Sequence, residues 1–174
     1  MRVNSFRSQE IKVPSGVPQG SHLGPLLFNI YINDISSCFH SSKFLLFADD
    51  LKFYLKVSDS GDCHHLQGDL SRLVQWCNAN GMDLNVKKCH SIAFKRGRMS
   101  YDFQYIINGA PLQSVSQVRD LGVVLDQTLS YDIHLSNVVS KALQMLGFIK
   151  RSTGDFQDIA YIKLFYCVLV RLFY

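Results

Sequence analysis

Two apolar, aromatic-rich runs in the first third of the chain flank a pair of acidic residues. Residues 44–47 and 51–55 have the composition of short strands, and Asp49 and Asp50 fall between them. The spacing therefore predicts a β-hairpin with both carboxylates at its tight turn.

A second hairpin is predicted beyond the middle of the chain. Residues 101–107 alternate in polarity up to Asn108-Gly109, a dipeptide that strongly favours a tight turn. Residues 118–125 would supply the returning strand, and residues 91–95 predict another strand before this hairpin.

Three segments carry apolar residues at three- and four-residue spacing, which predicts helices with one buried face. The first helix opens at Gly24-Pro25, because proline suits the first helical position. Its buried face would consist of Leu23, Leu26, Leu27, Ile30 and Tyr31. The second helix would stop at Gly81 and bury Leu66, Leu70, Leu73, Val74 and Cys77. The third would contribute core residues Leu135, Val138, Val139, Ala142, Leu146 and Ile149.

Composition indicates a folded globular chain. Of its 174 residues, 47% are hydrophobic and 18% are charged, which suits one domain with a sizeable core and excludes a disordered chain. Helices packed against an antiparallel sheet give an α+β fold class. The net charge of +4 is compatible with a nucleic-acid partner without requiring one.

Basic residues cluster in three places along the sequence. The clusters are Lys87-Lys88, Lys95-Arg96-Arg98, and Lys141 with Lys150-Arg151. Such clusters hold a phosphate backbone without reading base sequence. Solvated surface charge is the alternative interpretation of each cluster.

The five cysteines form no Cys-x-x-Cys pair, and the sequence carries no secretory signal. Both observations favour a reduced, intracellular setting. Cys63-His64-His65 lacks a second ligand pair at zinc-finger spacing and is interpreted as the start of a helix. Residues 159–174 are apolar, but Lys163 and Arg171 interrupt them and a membrane span needs about 20 residues. This segment predicts a buried helix and no membrane contact.

The adjacent carboxylates are the first candidate site. Two like charges side by side raise the cost of ionising each other, and a bound divalent cation removes that cost. Carboxylates at a rigid strand end, together with phosphate oxygens, are ligands that Mg²⁺ prefers. An ordinary acidic turn is the alternative, since Asp is common in turns.

The second candidate site is the loop before the first helix. Pro18, Gln19 and Gly20 lie in a stretch rich in proline and glycine, which cannot form a regular helix. A glutamine beside glycine lets the backbone approach a ligand while the amide binds sugar or base. A simple connection between elements is the alternative.

Six segments in order along the chain carry a resemblance to a known family. They are Gly16-Val17-Pro18-Gln19-Gly20-Ser21, residues 23–34 (LGPLLFNIYIND), Phe47-Ala48-Asp49-Asp50, residues 81–89 (GMDLNVKKC), residues 121–126 (LGVVLD), and residues 131–153 with His134 and Lys150-Arg151. Together they resemble a reverse transcriptase, and most closely that of jockey-like non-LTR retrotransposons of animals. The collinear order is far more specific than any single motif.

The resemblance implies the fold and its division. The expected fold is a right-hand polymerase, with a partial palm over residues 1–126 and the start of a helical thumb over residues 127–174. The palm would be an antiparallel sheet with helices on one face. The fingers and the first part of the palm would be missing from this chain.

The resemblance also implies the chemistry, which is addition of deoxynucleotides to a primer 3′-hydroxyl with two Mg²⁺ ions. Asp49 would be the principal metal ligand and Asp50 a weaker one. Phe47 and Ala48 would form the floor under the primer terminus. Pro18, Gln19 and Gly20 would contact the incoming nucleotide and the template–primer. Lys88 would neutralise or protonate the leaving pyrophosphate, with an ordinary surface lysine as the alternative.

Two departures from the family pattern bear on activity. The family has another catalytic Asp well before the Pro-Gln-Gly segment, and residues 1–12 contain no counterpart. His22 stands where the family usually has an aliphatic residue. The chain alone is therefore predicted to be inactive.

The expected partners are an RNA template, a DNA primer, deoxynucleoside triphosphates and the rest of a polyprotein carrying fingers and endonuclease. The expected location is the nucleus or a cytoplasmic ribonucleoprotein, without secretion. One alternative is a catalytically dead palm fragment that binds nucleic acid or another protein. Another is a viral RNA replicase, against which the Pro18-Gln19-Gly20 segment argues.

Overall fold

Helices and strands alternate along the chain and form an α+β structure. The computed structural model describes residues 2–3, 6–7, 16–17, 20–95, 101–156 and 158–171. Its contacts divide the chain into two compact units, Met1–Leu84 and Asn85–Tyr174. The palm–thumb boundary predicted after residue 126 falls within the second unit and stays a prediction.

The first unit contains two antiparallel strand pairs and two helices. In chain order its elements are β1 (Arg2–Val3), β2 (Phe6–Arg7), α1 (Gly24–Ile32), a 3₁₀ segment (Asn33–Cys38), β3 (Lys43–Phe47), β4 (Asp50–Tyr54) and α2 (Ser60–Ala79). β1 pairs with β2 and β3 pairs with β4, both antiparallel. The predicted hairpin and the first two predicted helices are thus confirmed.

Helix α1 begins as predicted, with proline in its first turn. Its predicted buried face is wrong, because Leu26 is 57% exposed and Ile30 is 65% exposed. The buried residues of the helix are Gly24 and Ile32 instead. The apolar spacing predicted the helix correctly, and Tyr31 of this face contacts α2: its ring lies 6.1 Å from the Trp76 ring, and its hydroxyl donates to the Asn80 carbonyl at 2.6 Å.

Helix α2 is the long helix of the first unit, and it buries one of its faces. Asp59 caps the first turn of α2. A side-chain oxygen of Asp59 accepts a hydrogen bond from the Asp62 N–H at 3.0 Å, and the Asp62 carboxylate in turn accepts one from the Asp59 N–H. Gly81, with φ of 68°, lies just past its end, so the predicted stop is confirmed. Of the predicted apolar face, Leu70, Leu73 and Cys77 are fully buried.

One buried charged position on α2 was not predicted. Asp69 has no exposed surface, yet it carries a carboxylate. The backbone N–H groups of residues 40–42, the hydroxyl of Ser42 and the guanidinium of Arg72 all donate to it. Burial raises the pKa of Asp69, but the hydrogen bonds from Ser42 and its neighbours outweigh burial and leave the pKa below its ordinary value.

The second unit contains short strands followed by helices. In chain order these are a 3₁₀ turn (Val86–Lys88), β5 (His90–Ser91), β6 (Ile106–Ile107), β7 (Ala110–Pro111), β8 (Gln113–Ser114), β9 (Gln117–Asp120), β10 (Val123–Asp126), α3 (Asp132–Ser152), α4 (Ile159–Phe165) and a π-helical segment (Tyr166–Val170). β5 covers only part of the strand predicted at residues 91–95.

The turn at Asn108-Gly109 is confirmed, but its predicted returning strand is wrong. Both residues have positive φ, 49° and 75°, as a tight hairpin turn of this type requires. β6 pairs with β7, which follows directly. Residues 118–125 instead form a separate hairpin of β9 and β10, because Leu121 and Gly122, with φ of 45° and 92°, turn the chain in the middle of that run.

The strands form isolated pairs. Besides the antiparallel hairpins, β5 pairs with β8 in parallel. Within the described part of the chain the ladders are all two-stranded, and the single antiparallel sheet expected of a palm is not among them.

Helix α3 is present as predicted, but half of its predicted core face is exposed. Ala142 and Ile149 are buried and form a small core with Val170. Leu135, by contrast, is 56% exposed. The helix itself was predicted correctly, but the prediction that its apolar face is buried is wrong for half of these positions.

The segment after α3 was predicted to be a buried helix over residues 159–174. Its described part, α4 and the π-helical segment, is helical, and Val170 is its one buried residue. Ile159 and Leu164 are about two-thirds exposed, at 64% and 59%, so the predicted burial is wrong there. Residues 172–174 lie outside the described residues. None of the described helices has the length and apolarity required to span a membrane.

All five cysteines are free thiols. Cys38, Cys63 and Cys77 are buried, and burial raises the pKa of the Cys38 thiol. Cys63, His64 and His65 lie in the first turns of α2, which confirms their interpretation as a helix start.

The buried carboxylate of Asp69 should make folding stability pH-dependent. Its pKa is below 3.8 in the folded chain and returns to its ordinary value on unfolding, so its stabilising contribution is complete above about pH 4 and is lost as pH falls through the folded pKa. At neutral pH, Asp69→Asn should lower the free energy of unfolding by about 1–3 kcal/mol. Urea unfolding followed by circular dichroism should show this difference shrinking below about pH 4.

The control is Gln75→Ala, an exposed and non-titrating position on the same helix. Its difference from the wild type should not vary with pH. A constant difference between wild type and Asp69→Asn down to about pH 2 would contradict the prediction.

Candidate active site

The tip of the β3–β4 hairpin carries the two candidate carboxylates. Phe47 and Asp50 are the last paired residues, so Ala48 and Asp49 form the two-residue loop. Asp49 therefore lies in the turn and Asp50 opens β4. The predicted placement of the acidic pair at a tight turn is confirmed.

Four candidate residues are displayed together at this tip. Ala48, Asp49 and Asp50 are exposed, and Phe47 is 61% exposed although it is a large apolar side chain. Asp49 lies in the loop, and Asp50 is the first residue of β4, paired with Phe47. The tip therefore offers hard oxygen donors beside an exposed aromatic ring.

The backbone at the tip is locally strained. Ala48 has φ of 51°, a left-handed conformation that non-glycine residues adopt at a cost. The turn is nevertheless held by the full register of five residue pairs, from Lys43 opposite Tyr54 to Phe47 opposite Asp50.

Two carboxylates fit part of a magnesium shell. Mg²⁺ takes six oxygen ligands and commonly uses one or two carboxylates with water and substrate phosphates, so Asp49 and Asp50 have the right chemistry. The described parts of the chain contain no group of three or more His, Cys, Asp or Glu side chains arranged to hold a metal.

The second candidate site is described only in part. Pro18 and Gln19 lie outside the described residues. Gly20 has φ of 79°, and a Cβ at this position would meet nothing within 4 Å. Glycine is thus favoured at position 20 by the backbone conformation and not by crowding.

Lys88 belongs to the second unit, at the end of the 3₁₀ turn Val86–Lys88. Its N–H donates to the Asn85 carbonyl at 2.9 Å, so the asparagine of the Leu-Asn-x-x-Lys segment fixes the backbone that carries the lysine. The Lys88 side chain is exposed.

The predicted basic clusters are largely on the surface. Lys87, Lys141, Lys150 and Arg151 are exposed, and the last three lie on α3. Lys95 is half-buried, while Arg96 and Arg98 lie outside the described residues.

Residues 121–126, one of the six segments that carry the family resemblance, form the turn and the second strand of the β9–β10 hairpin. Asp126 accepts hydrogen bonds from the hydroxyls of Ser130 at 2.6 Å and Thr128 at 2.7 Å, and from both of their N–H groups. These bonds hold the pKa of Asp126 well below its usual range. The N–H of Val124 donates to His134 Nδ1 at 3.4 Å, which ties β10 to the first turn of α3.

Comparison with protein families decides the assignment. The family described as reverse transcriptase (RNA-dependent DNA polymerase) matches residues 1–149. The chain belongs to the reverse transcriptase family. The match includes both candidate sites, the β9–β10 hairpin and most of α3.

Several relatives are polymerases of insect transposons. The chain is 30% identical over 147 residues to a probable RNA-directed DNA polymerase from transposon X-element of Drosophila melanogaster, covering 79% of this chain and 16% of that protein. It is 29% identical over 155 residues to a probable RNA-directed DNA polymerase from transposon BS, covering 84% and 17%. It is 26% identical over 148 residues to the RNA-directed DNA polymerase from mobile element jockey, covering 78% and 16%.

These comparisons confirm the predicted resemblance to jockey-like non-LTR polymerases. The chain spans about a sixth of the length of these curated relatives. No solved structure matches it significantly. Reverse transcriptases as a family act on a nucleic-acid template and primer with deoxynucleoside triphosphates and generally use divalent metal ions.

The sequence analysis did not predict the role of one residue close to the β3–β4 hairpin of this reverse transcriptase. Asp69 holds the loop that leads into β3, across 27 to 29 residues of sequence. The available signal was a carboxylate directly before Leu70, on the apolar side of a helix, where a charged residue is buried only when it is paired.

Relieving the strain at Ala48 should stabilise the hairpin. Ala48→Gly allows φ of 51° without a Cβ clash, so the free energy of unfolding should rise by about 0.5–1 kcal/mol. Urea unfolding of the purified chain measures the change. The matched control Ala93→Gly, at an exposed position without positive φ, should destabilise the chain or leave it unchanged. Equal effects of the two variants would contradict the prediction.

Proposed function

We propose that this chain is part of an RNA-directed DNA polymerase of a jockey-like non-LTR retrotransposon. Residues 1–126 form part of the palm, and residues 127–174 begin the thumb. The observation that carries the proposal is the β3–β4 hairpin, which presents Asp49 and Asp50 at an exposed tip within a reverse transcriptase sequence.

The reaction is phosphoryl transfer from a deoxynucleoside triphosphate to the 3′-hydroxyl of a primer. Asp49, in the turn, is the principal Mg²⁺ ligand, and Asp50, in the strand, is the weaker one. Asp49 and Asp50 would hold two Mg²⁺ ions, which would supply the positive charge that lowers the pKa of the primer hydroxyl and stabilises the leaving pyrophosphate. Each carboxylate keeps its oxygens accessible to solvent, which an incoming ion and phosphate both require.

Other residues bind the substrates. The exposed Phe47 ring and Ala48 form the floor under the primer terminus. Pro18, Gln19 and Gly20 contact the incoming nucleotide and the template–primer. Lys88 places a cation at the leaving pyrophosphate, and the exposure of its side chain leaves the ammonium group open to an anion.

The chain by itself is inactive in this proposal. The family's additional catalytic Asp precedes the Pro-Gln-Gly segment, and residues 1–12 contain no Asp. The active protein is then a longer polypeptide that supplies this ligand, the fingers and an endonuclease. Its partners are an RNA template and a DNA primer, and its location is the nucleus or a cytoplasmic ribonucleoprotein.

Substitutions at the hairpin tip test the metal assignment in a longer polymerase that contains this chain. Asp49→Asn should lower kcat by at least about 10²-fold, because it removes direct charge stabilisation at the reacting phosphate. Asp50→Asn should leave measurable turnover. Primer extension on an RNA template with all four deoxynucleotides and Mg²⁺ measures the turnover of both variants. The 174-residue chain alone should give no extension.

The control is Asp155→Asn, an exposed carboxylate of the second unit. It removes the same charge and should leave extension unchanged. Equal loss in the Asp49 and Asp50 variants would contradict the assignment of the principal ligand. If the 174-residue chain alone extended the primer, and its Asp49→Asn variant did not, the proposed inactivity of the chain would be contradicted.

A second candidate function is a nucleic-acid-binding module without catalysis. The observation that favours it is the set of exposed cations on one helix, Lys141, Lys150 and Arg151 on α3. Contacts between such side chains and phosphates do not depend on the carboxylates at the hairpin tip.

Salt titration tests the binding module. Each phosphate contact contributes about −0.9 to the slope of log affinity against log salt, so a handful of contacts should give a slope of about −2 to −4 on an RNA–DNA hybrid. Replacing Lys150 and Arg151 by alanine should make the slope shallower by about 2. Fluorescence anisotropy at several salt concentrations measures this. The charge-matched control replaces Lys43 and Lys56, exposed residues of the first unit, and should change the slope little. Salt-independent binding, or none at low salt, would contradict the prediction.

A further inference from the structure

The loop that leads into the β3–β4 hairpin is held by one carboxylate of α2. Asp69 Oδ1 accepts a hydrogen bond from the His40 N–H at 3.1 Å. Its Oδ2 accepts bonds from the N–H groups of Ser41 at 3.2 Å and Ser42 at 2.7 Å. Three consecutive backbone donors therefore converge on a side chain with no exposed surface.

Two side chains complete the contact. The Ser42 hydroxyl donates to Asp69 Oδ2 at 2.5 Å. Arg72, one turn along α2, pairs with Asp69 and donates from Nε to the Cys38 carbonyl at 2.9 Å. Helix α2 thus holds the loop at both of its ends, residue 38 and residue 42.

The held loop is continuous with the hairpin and packs on both of its strands. Lys43, the first residue of β3, follows Ser42 directly. The Phe39 ring lies 4.8 Å from the Phe44 ring of β3 and 5.3 Å from the Phe53 ring of β4. Phe44 and Phe53 are a cross-strand pair, so Phe39 fixes the two strands together near their base.

A small rotation at the base of the β3–β4 hairpin produces a larger displacement at its tip. A strand rises about 3.4 Å per residue, so the tip lies about 14 Å from Lys43, and a rotation of about 4° at the base moves it by about 1 Å. A displacement of about 1 Å at reacting groups can cost about 10²-fold in rate. An error at the loop is therefore amplified at Asp49 and Asp50.

We propose that Asp69 is a positioning residue that fixes the direction of the β3–β4 hairpin and so sets the place of Asp49 and Asp50. It touches neither substrate nor metal and acts through the loop of residues 38–42. This inference rests on the proposed function, which assigns the chemistry to the hairpin tip.

Amide hydrogen exchange on the purified chain tests whether Asp69 fixes the loop of residues 38–42 and the hairpin that follows it. In Asp69→Asn, the side-chain amide replaces an acceptor by a donor that faces backbone donors. Relative to wild type, exchange at the amides of residues 40–42 and of the two strands should rise at least about tenfold more than exchange at Leu70, Leu73 and Cys77 in the body of α2, which reports only the loss of overall stability.

Kinetics in the longer polymerase test the functional part. Asp69→Asn should lower kcat about 10²-fold with KM for the deoxynucleotide unchanged, because misplaced ligands weaken the transition state and not nucleotide binding. Ser42→Ala, which removes a single hydrogen bond and is expected to fold, should lower kcat less, again without a change in KM.

Asp62→Asn is the matched control. Asp62 lies on the same helix and accepts bonds from the N–H groups of Ser58 at 2.7 Å and Asp59 at 3.3 Å, but it does not contact residues 38–42. It should leave both kcat and the exchange of residues 40–42 unchanged.

Three results would overturn the inference. The first is wild-type kcat in Asp69→Asn. The second is an equal rise in exchange across α2 and the hairpin in both Asp69→Asn and Ser42→Ala, since that would mean a general folding role. The third is an equal effect of Asp62→Asn. If the wild-type longer polymerase incorporates nothing, the proposed function fails, and the exchange experiment still decides whether Asp69 fixes the hairpin.

Discussion

The buried carboxylate of Asp69 is the interaction on which the first unit depends. A charge without exposed surface is tolerated only when it is paired and hydrogen-bonded, because desolvation costs several kcal/mol. Asp69 meets this condition through donors from the loop before β3 and through Arg72. The loop must therefore adopt one conformation for the charge to be stable, and the hairpin that follows inherits its direction.

The two ends of that hairpin have different physical tasks. At the base, Phe39 packs on Phe44 and Phe53, and the buried carboxylate fixes the backbone. At the tip, Ala48 is strained and both carboxylates are exposed, an arrangement that gives up stability and leaves oxygens open to solvent. A rigid base with an exposed tip suits a site that must hold charged ligands at a fixed place.

Local features were readable from the sequence because neighbouring residues decide them. The Asn108-Gly109 turn, the proline at the start of α1 and the glycine after α2 each follow from backbone preferences within a few residues. The ordered motifs identified the reverse transcriptase family for the same reason, since each is a short contiguous segment. The acidic pair at a turn was likewise a local prediction, refined only in that Asp49 lies in the loop and Asp50 in the strand.

Burial and pairing were decided by the tertiary structure. Equal apolar spacing predicted buried faces on α1, α2 and α3, yet Leu26 and Leu135 are exposed while Leu70 is buried, because burial depends on which surfaces meet. Residues 118–125 folded into their own hairpin because two positive-φ residues, Leu121 and Gly122, interrupt the run. The sequence by itself determined the family, the helices and the turn that carries Asp49. Only the tertiary structure decided that Asp69, a carboxylate on an apolar helix face, binds a loop 27 to 29 residues away, because hydrogen bonds between distant segments leave no local pattern.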